Sequence, residues 1–125
     1  MAGTICQRLL NKVWRSYAND LEKVENKEGI YVIGKELEDD VRYWYIGHSI
    51  DIKRRLQQHK RQSLYIDELI KAEFEKNNGA DLRIKWVFEP NSRRQEGQYE
   101  SCLEGKLCYG LCGNIKRGNY YQKKK

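Results

Sequence analysis

The fold is decided by two stretches of the sequence, GIYVI at residues 29–33 and VRYWYI at residues 41–46. Both are rich in β-branched and aromatic side chains, which favour β-strands. Between them lie Gly34 and a polar stretch that carries Glu36, Glu38, Asp39 and Asp40. Two strands joined by a polar loop predict an antiparallel hairpin with an acidic tip.

Four further elements are expected after this hairpin. Ser49 and Asp51 can cap the first of them, a helix. Asn78 and Gly79 can end the second helix, because both residue types adopt the left-handed conformation readily. The predicted elements are a helix over residues 52–62, a helix over 64–76, a strand over 82–88 and a helix over 99–112.

Before the hairpin, apolar residues recur every three or four positions. Thr4 and Gln7 have the spacing of a capping box at the start of this segment. The periodicity predicts an amphipathic helix over residues 4–25. We therefore expect a single α/β (α+β) domain spanning residues 1–125, in which a three-stranded antiparallel sheet is flanked by helices and extended by an N-terminal helix.

The positive charge of the chain is concentrated in two segments. The 125 residues contain 24 Lys and Arg against 18 Asp and Glu, a formal net charge of +6. Residues 51–62 are strongly basic, and residues 116–125 form a basic tail without acidic residues. Such clusters are typical of polyanion binders. A solvated helix face followed by a basic tail is the alternative, and charge alone leaves it open.

Some classes of protein are disfavoured by composition. No apolar run approaches the roughly 20 residues of a membrane span, and the N-terminus lacks the apolar segment of a signal peptide. We therefore expect no membrane partner and an intracellular location, in the cytoplasm, the nucleus or the nucleoid. The four cysteines, which we expect to be reduced and buried rather than zinc-binding, are Cys6, Cys102, Cys108 and Cys112.

The tripeptides GIY at residues 29–31 and YIG at residues 45–47 resemble those of the GIY-YIG nuclease family. The resemblance continues with Arg55, Leu56 and His59 in the next helix. It extends to Glu104, followed by Leu107, Cys108 and Asn114, and covers residues 29–115. It implies a GIY-YIG domain with metal-dependent DNA endonuclease activity, Mg²⁺ or Mn²⁺ as cofactor, and products with 5′-phosphate and 3′-hydroxyl ends.

The resemblance also implies a role for each matched residue. Tyr31 is the general base that acts on water, and Tyr45 orients the water or the phosphate. Arg55 binds phosphate through its charged fork, and His59 contacts the phosphate or assists proton transfer. Glu104 is the metal ligand, with Glu100 one helical turn earlier as its rival. The residues expected to bind DNA are His48, Lys53, Arg54, Lys60, Arg61, Asn114 and Lys116.

Two features depart from the usual pattern of the family. The segment between Tyr31 and Tyr45 is longer than usual, and the excess falls in the acidic loop. The chain also has no room for a separate DNA-reading module. We therefore expect low sequence specificity, recognition of DNA structure, or dependence on a homodimer or a specificity-giving partner protein. The alternatives are a non-catalytic nucleic-acid-binding module on this fold and, less favoured, a redox or zinc protein.

Overall fold

The computed structural model describes residues 7–62 and 65–103 and contains one antiparallel sheet. Its strand order is β1-β4-β2-β3. The strands are β1 (Arg15–Ser16), β2 (Gly29–Leu37), β3 (Asp40–Ser49) and β4 (Leu82–Phe88). The prediction of a mixed fold with an antiparallel sheet is confirmed, but the sheet has four strands instead of three. The additional strand is the two-residue β1, which pairs with the outer edge of β4.

Besides the helical residues 7–10, four α-helices accompany the sheet in the described part of the chain. They are α1 (Tyr17–Asp20), α2 (Ile52–His59), α3 (Tyr65–Asn77) and α4 (Ser92–Cys102), and a 3₁₀ turn (Leu21–Lys23) follows α1. The Asp51 side chain caps α2 by accepting a hydrogen bond from the Arg54 backbone at 3.1 Å. Helix α4 begins seven residues earlier than predicted. Glu28, just before β2, accepts hydrogen bonds from the backbone N–H and the hydroxyl of Ser92, each at 2.9 Å.

The prediction of one continuous helix over residues 4–25 is wrong. Residues 7–10 are helical, but β1, α1 and the 3₁₀ turn replace the rest of that helix. The reason is that the periodic apolar residues enter two different cores. Leu9 packs on one face of the sheet, whereas Tyr17 and Leu21 pack on the other. The chain must therefore cross the sheet edge, and Val13 at the crossing is 76% exposed.

Strand β2 lies in the middle of the sheet and divides the two cores. Its residues Tyr31 and Ile33 face the core built with α1, α2 and α3, whereas Ile30 and Val32 face the core that contains Tyr99 of α4. This is the alternation expected of a strand covered on both faces.

The hairpin between β2 and β3 is tighter than predicted. Most of the expected acidic loop belongs to the two strands, and Leu37 pairs with Asp40 across a two-residue turn. Glu38 in this turn has a positive φ of 53°. A bulge shifts the register between Ile33 and Gly34, so that the extra residue Trp44 lies between the residues paired with them.

Two further expectations can be compared with the structure. Cys102 is disulfide-bonded, so the expectation of reduced cysteines is wrong at this position. Among residues 7–62 and 65–103, no helix is long and apolar enough to cross a membrane. The sequence predicts a helix over residues 99–112, and the part of it that follows residue 103 lies outside the described residues.

Candidate active site

The two motif tyrosines lie on the same face of the sheet. Tyr31 of β2 pairs with Gly47 of β3, and Ile33 pairs with Tyr45, so the strand alternation directs both tyrosine rings to one side. The ring centroids are 6.2 Å apart. A β-carbon on Gly47 would lie 2.7 Å from Cζ of Tyr31 and 2.9 Å from Cε2 of Tyr45. The absence of a side chain at Gly47 therefore makes room for both rings.

His59, at the end of α2, lies behind Tyr31 and contacts it directly. The Tyr31 hydroxyl oxygen and Nε2 of His59 are 2.7 Å apart. On the other side of the imidazole, Nδ1 lies 2.5 Å from Oδ1 of Asp67 in α3. These contacts form a continuous chain of polar groups from a strand through two helices.

The chain from Tyr31 through His59 to Asp67 is closed to solvent, since all three residues have 0% exposure. Burial raises the pKa of Tyr31 well above its ordinary value, and Tyr45 adds to the rise while Arg55 opposes it. Burial lowers the pKa of His59 below its ordinary value, although the hydrogen bond that His59 makes to Asp67 opposes this change. Tyr31 is therefore a neutral phenol, and His59 is a neutral imidazole near pH 7.

Arg55 and Tyr45 form the partly exposed side of this cluster. Nη1 of Arg55 donates hydrogen bonds to the side-chain oxygens of Gln58, at 3.3 Å, and Gln62, at 3.2 Å. Burial raises the pKa of Tyr45, and the positive charge of Arg55 opposes the rise. The ring of Tyr45 is 5.4 Å from that of His59. A phosphate approaching from solvent would therefore meet Arg55 and Tyr45 before Tyr31.

Four of the five residues expected to act in catalysis thus lie together: Tyr31, Tyr45, Arg55 and His59. The fifth, Glu104, lies outside the described residues, as do Asn114 and Lys116. Its rival Glu100 lies in α4, on the element that covers the opposite face of the sheet.

The residues expected to bind DNA do not share one surface. His48 follows Gly47 on the opposite face of β3, where its Nε2 is 3.7 Å from Oε1 of Glu96 in α4. Nζ of Lys53 donates a hydrogen bond to the Glu22 carbonyl at 2.9 Å. The side chains left exposed around α2 are those of Arg54, Lys60 and Arg61.

Asp67 is the functional candidate that sequence reasoning missed. A signal for it was present, because this carboxylate lies between Ile66 and Ile70 on the apolar stripe of α3. An acidic residue on a buried stripe requires a partner. The sequence could not identify that partner, since His59 belongs to another helix.

The metal implied by the resemblance is not accounted for by the described residues. Among residues 7–62 and 65–103, no group of three or more His, Cys, Asp and Glu side chains could hold a metal ion. Asp67 is the carboxylate in contact with the cluster, but it is buried against His59. A Mg²⁺ ion can bind through one carboxylate together with water and phosphate oxygens. Metal binding would require one more carboxylate beside the described cluster. We predict that Glu104 supplies it.

Comparisons of the chain with protein-family models, with curated proteins and with solved structures found no match. The geometry of the cluster and the motif residues themselves therefore carry the functional assignment. The two tripeptides remain the basis of the resemblance.

Proposed function

We propose that this protein is a metal-dependent DNA endonuclease that hydrolyses phosphodiester bonds, as its resemblance to the GIY-YIG nuclease family implies. The observation that carries the proposal is the contact between Tyr31 and His59, with Tyr45 and Arg55 beside it. These residues come from two strands and a helix. An arrangement of phenols, an imidazole and a guanidinium suits proton transfer beside a phosphate.

The exposure of the side chains suggests how the roles are divided. Arg55 binds the scissile phosphate through its charged fork, which matches two phosphate oxygens. Tyr45 orients the phosphate or the attacking water. Tyr31 is the general base, and because its hydroxyl is buried, water reaches it only when Arg55 or Tyr45 moves aside as substrate binds.

Hydrolysis then proceeds with a balanced transfer of protons. As the oxygen of the water bonds to phosphorus, its proton passes to the Tyr31 oxygen, and the phenol gives up its original proton to Nε2 of His59. The bond from phosphorus to the 3′-oxygen breaks, and the leaving oxygen takes a proton from solvent. The products are a 5′-phosphate and a 3′-hydroxyl. Mg²⁺ or Mn²⁺, when bound, supplies positive charge that stabilises the charge developing in the transition state.

The proposed nuclease does not read a particular DNA sequence. Arg54, Lys60 and Arg61, the exposed basic residues around α2, can contact phosphates, which position DNA without reading its sequence. We therefore propose low sequence specificity or selectivity for DNA structure. A homodimer or a partner protein would supply any further selectivity.

The test is a cleavage assay on duplex, flap, junction and single-stranded DNA, with Mg²⁺, Mn²⁺ or a chelator. We expect cleavage with either metal and none with the chelator. Arg55→Lys should reduce cleavage by about a hundredfold or more, since Lys keeps the charge but loses the fork. Arg54→Lys is the matched control, because Arg54 is exposed and adjacent in sequence. Binding of DNA without metal-dependent cleavage of any substrate would instead favour the non-catalytic binding module.

A further inference from the structure

We propose that Asp67 is a positioning residue, which holds His59 in the one ring tautomer that can accept the proton of Tyr31. This inference rests on the proposed function and adds to it a residue outside the motif pattern. It assigns His59 to proton transfer and excludes contact between His59 and the phosphate. The side chain of His59 is fully buried behind Tyr31, where a phosphate cannot reach it.

The tautomer follows from the donors and acceptors along the chain of contacts. An ionised carboxylate offers only acceptors, so the 2.5 Å contact to Asp67 requires a hydrogen on Nδ1 of His59. A neutral imidazole carries one ring hydrogen, which leaves Nε2 with a lone pair. The 2.7 Å contact between Nε2 and the Tyr31 oxygen is then a hydrogen bond that the phenol donates.

This arrangement meets a requirement of the proposed reaction. A neutral phenol is a weak base, and burial makes ionisation of Tyr31 still harder. As water gives a proton to the Tyr31 oxygen, the phenol can pass its original proton to Nε2 of His59. The imidazolium that forms is stabilised by the negative charge of Asp67. After cleavage, the proton returns through Tyr31 to solvent, and the chain of groups is restored.

A purely structural role explains the cluster less well. Asp67 lies between Ile66 and Ile70 in α3, where a second buried carboxylate, that of Glu73, forms an ion pair with Lys35 at 2.7 Å. Burial of a charged carboxylate carries a desolvation cost, and well-packed apolar residues at such positions are often at least as stable. The core therefore has no need of an Asp–His contact for packing. The direct contact of His59 with a motif tyrosine provides a reason for it.

The first arm of the test is NMR of the histidine ring nitrogens at pH 8, recorded on the intact protein. The chain has two histidines, so His48→Gln assigns the signals of His59. We expect a protonated Nδ1 and an unprotonated Nε2 for His59. A hydrogen on Nε2, or rapid exchange between the tautomers, would overturn the proposal. This arm needs no cleavage, so it remains decisive if the protein proves not to be a nuclease.

The second arm compares Asp67→Asn with Glu68→Gln, which removes an exposed carboxylate at the next position of α3. In Asp67→Asn we expect His59 to lose the Nδ1–H tautomer and kcat to fall about a hundredfold or more, with KM changed less than about threefold. Glu68→Gln should match the parent in both. An unchanged tautomer with unchanged kcat in a folded Asp67→Asn would overturn the proposal. If that variant does not fold, the spectrum of the parent decides alone.

Discussion

The hydroxyl oxygen of Tyr31 lies 2.6 Å from the position that a β-carbon on Gly47 would occupy. The two residues are register partners across β2 and β3, and the Tyr31 ring lies over Gly47. A contact this short is closer than van der Waals packing allows. Gly47 of the second tripeptide therefore leaves the space that the side chain of Tyr31, in the first tripeptide, occupies.

Replacement of Gly47 by Ala should disturb the site directly. The added methyl group would force the rings of Tyr31 and Tyr45 to move, and we expect a loss of about 1–3 kcal/mol in the free energy of unfolding. Cleavage should fall more than about tenfold because Tyr31 no longer meets His59. Gly97→Ala is the control, since nothing lies within 4 Å of that position in α4. It should stabilise the protein by up to about 1 kcal/mol. Equal stability of the two variants in urea denaturation would contradict this account.

Glu104→Gln should separate catalysis from DNA binding. The amide keeps the size of the side chain but removes the charge expected to hold the metal. We expect cleavage to fall by at least about a hundredfold, because metal charge stabilisation contributes several kcal/mol at about 1.4 kcal/mol per tenfold in rate. DNA affinity should stay similar or increase. Glu100→Gln should keep most of the activity, and a reversed result would show that Glu100 is the metal ligand.

The basic surface around α2 should control affinity without affecting the chemical step. Neutralising Arg54, Lys60 and Arg61 together should weaken DNA binding. The log–log dependence of affinity on salt should become less steep by about 0.9 for each lost contact with duplex phosphate. Fluorescence anisotropy over a salt series measures this slope. Lys53→Gln should change it less, because the ammonium already binds the backbone of Glu22. An unchanged slope in the triple variant would place the DNA on another surface.

Stability should depend on pH through His59. Burial lowers its pKa in the folded protein, with Asp67 opposing and the charge of Arg55 assisting, so the unfolded chain binds this proton more readily. The stability that neutral His59 contributes is therefore present above about pH 6.5 and is lost as the pH falls through its lowered pKa. Urea denaturation from about pH 8 down to about pH 5 should show this loss in the parent and in His48→Gln, but not in His59→Gln. Parallel curves for the two variants would refute it.

The sheet could be predicted because its signals are local. The aromatic and β-branched residues of β2 alternate between the two cores, and the strand over residues 82–88 coincides with β4. The N-terminal helix could not be predicted correctly, since Leu9 and Tyr17 fit one helical period although they pack on opposite faces of the sheet. A periodic pattern does not reveal which surface each residue will cover.

The site was predictable to a lesser degree. The tripeptides and the spacing to Arg55 and His59 identified four members of the cluster, because each lies in a recognisable motif. Asp67 joins the cluster only through the packing of α3 against α2, which no local pattern specifies. The start of α4 at Ser92 was missed for a related reason, since the polar residues after it lack apolar periodicity and Glu28, far away in sequence, holds its first turn.

The central position of β2 also has a consequence for motion. Strand β2 is hydrogen-bonded to a strand on each side, and Tyr31 is the register partner of Gly47 in β3 and of Trp86 in β4. Local opening of this strand must break both ladders, so its amides should be among the slowest to exchange with deuterated solvent. Opening the backbone at Tyr31, the proposed base, should therefore require nearly the global free energy of unfolding. Rearrangement of the site on substrate binding must therefore come from the side chains on its partly exposed side, Arg55 and Tyr45.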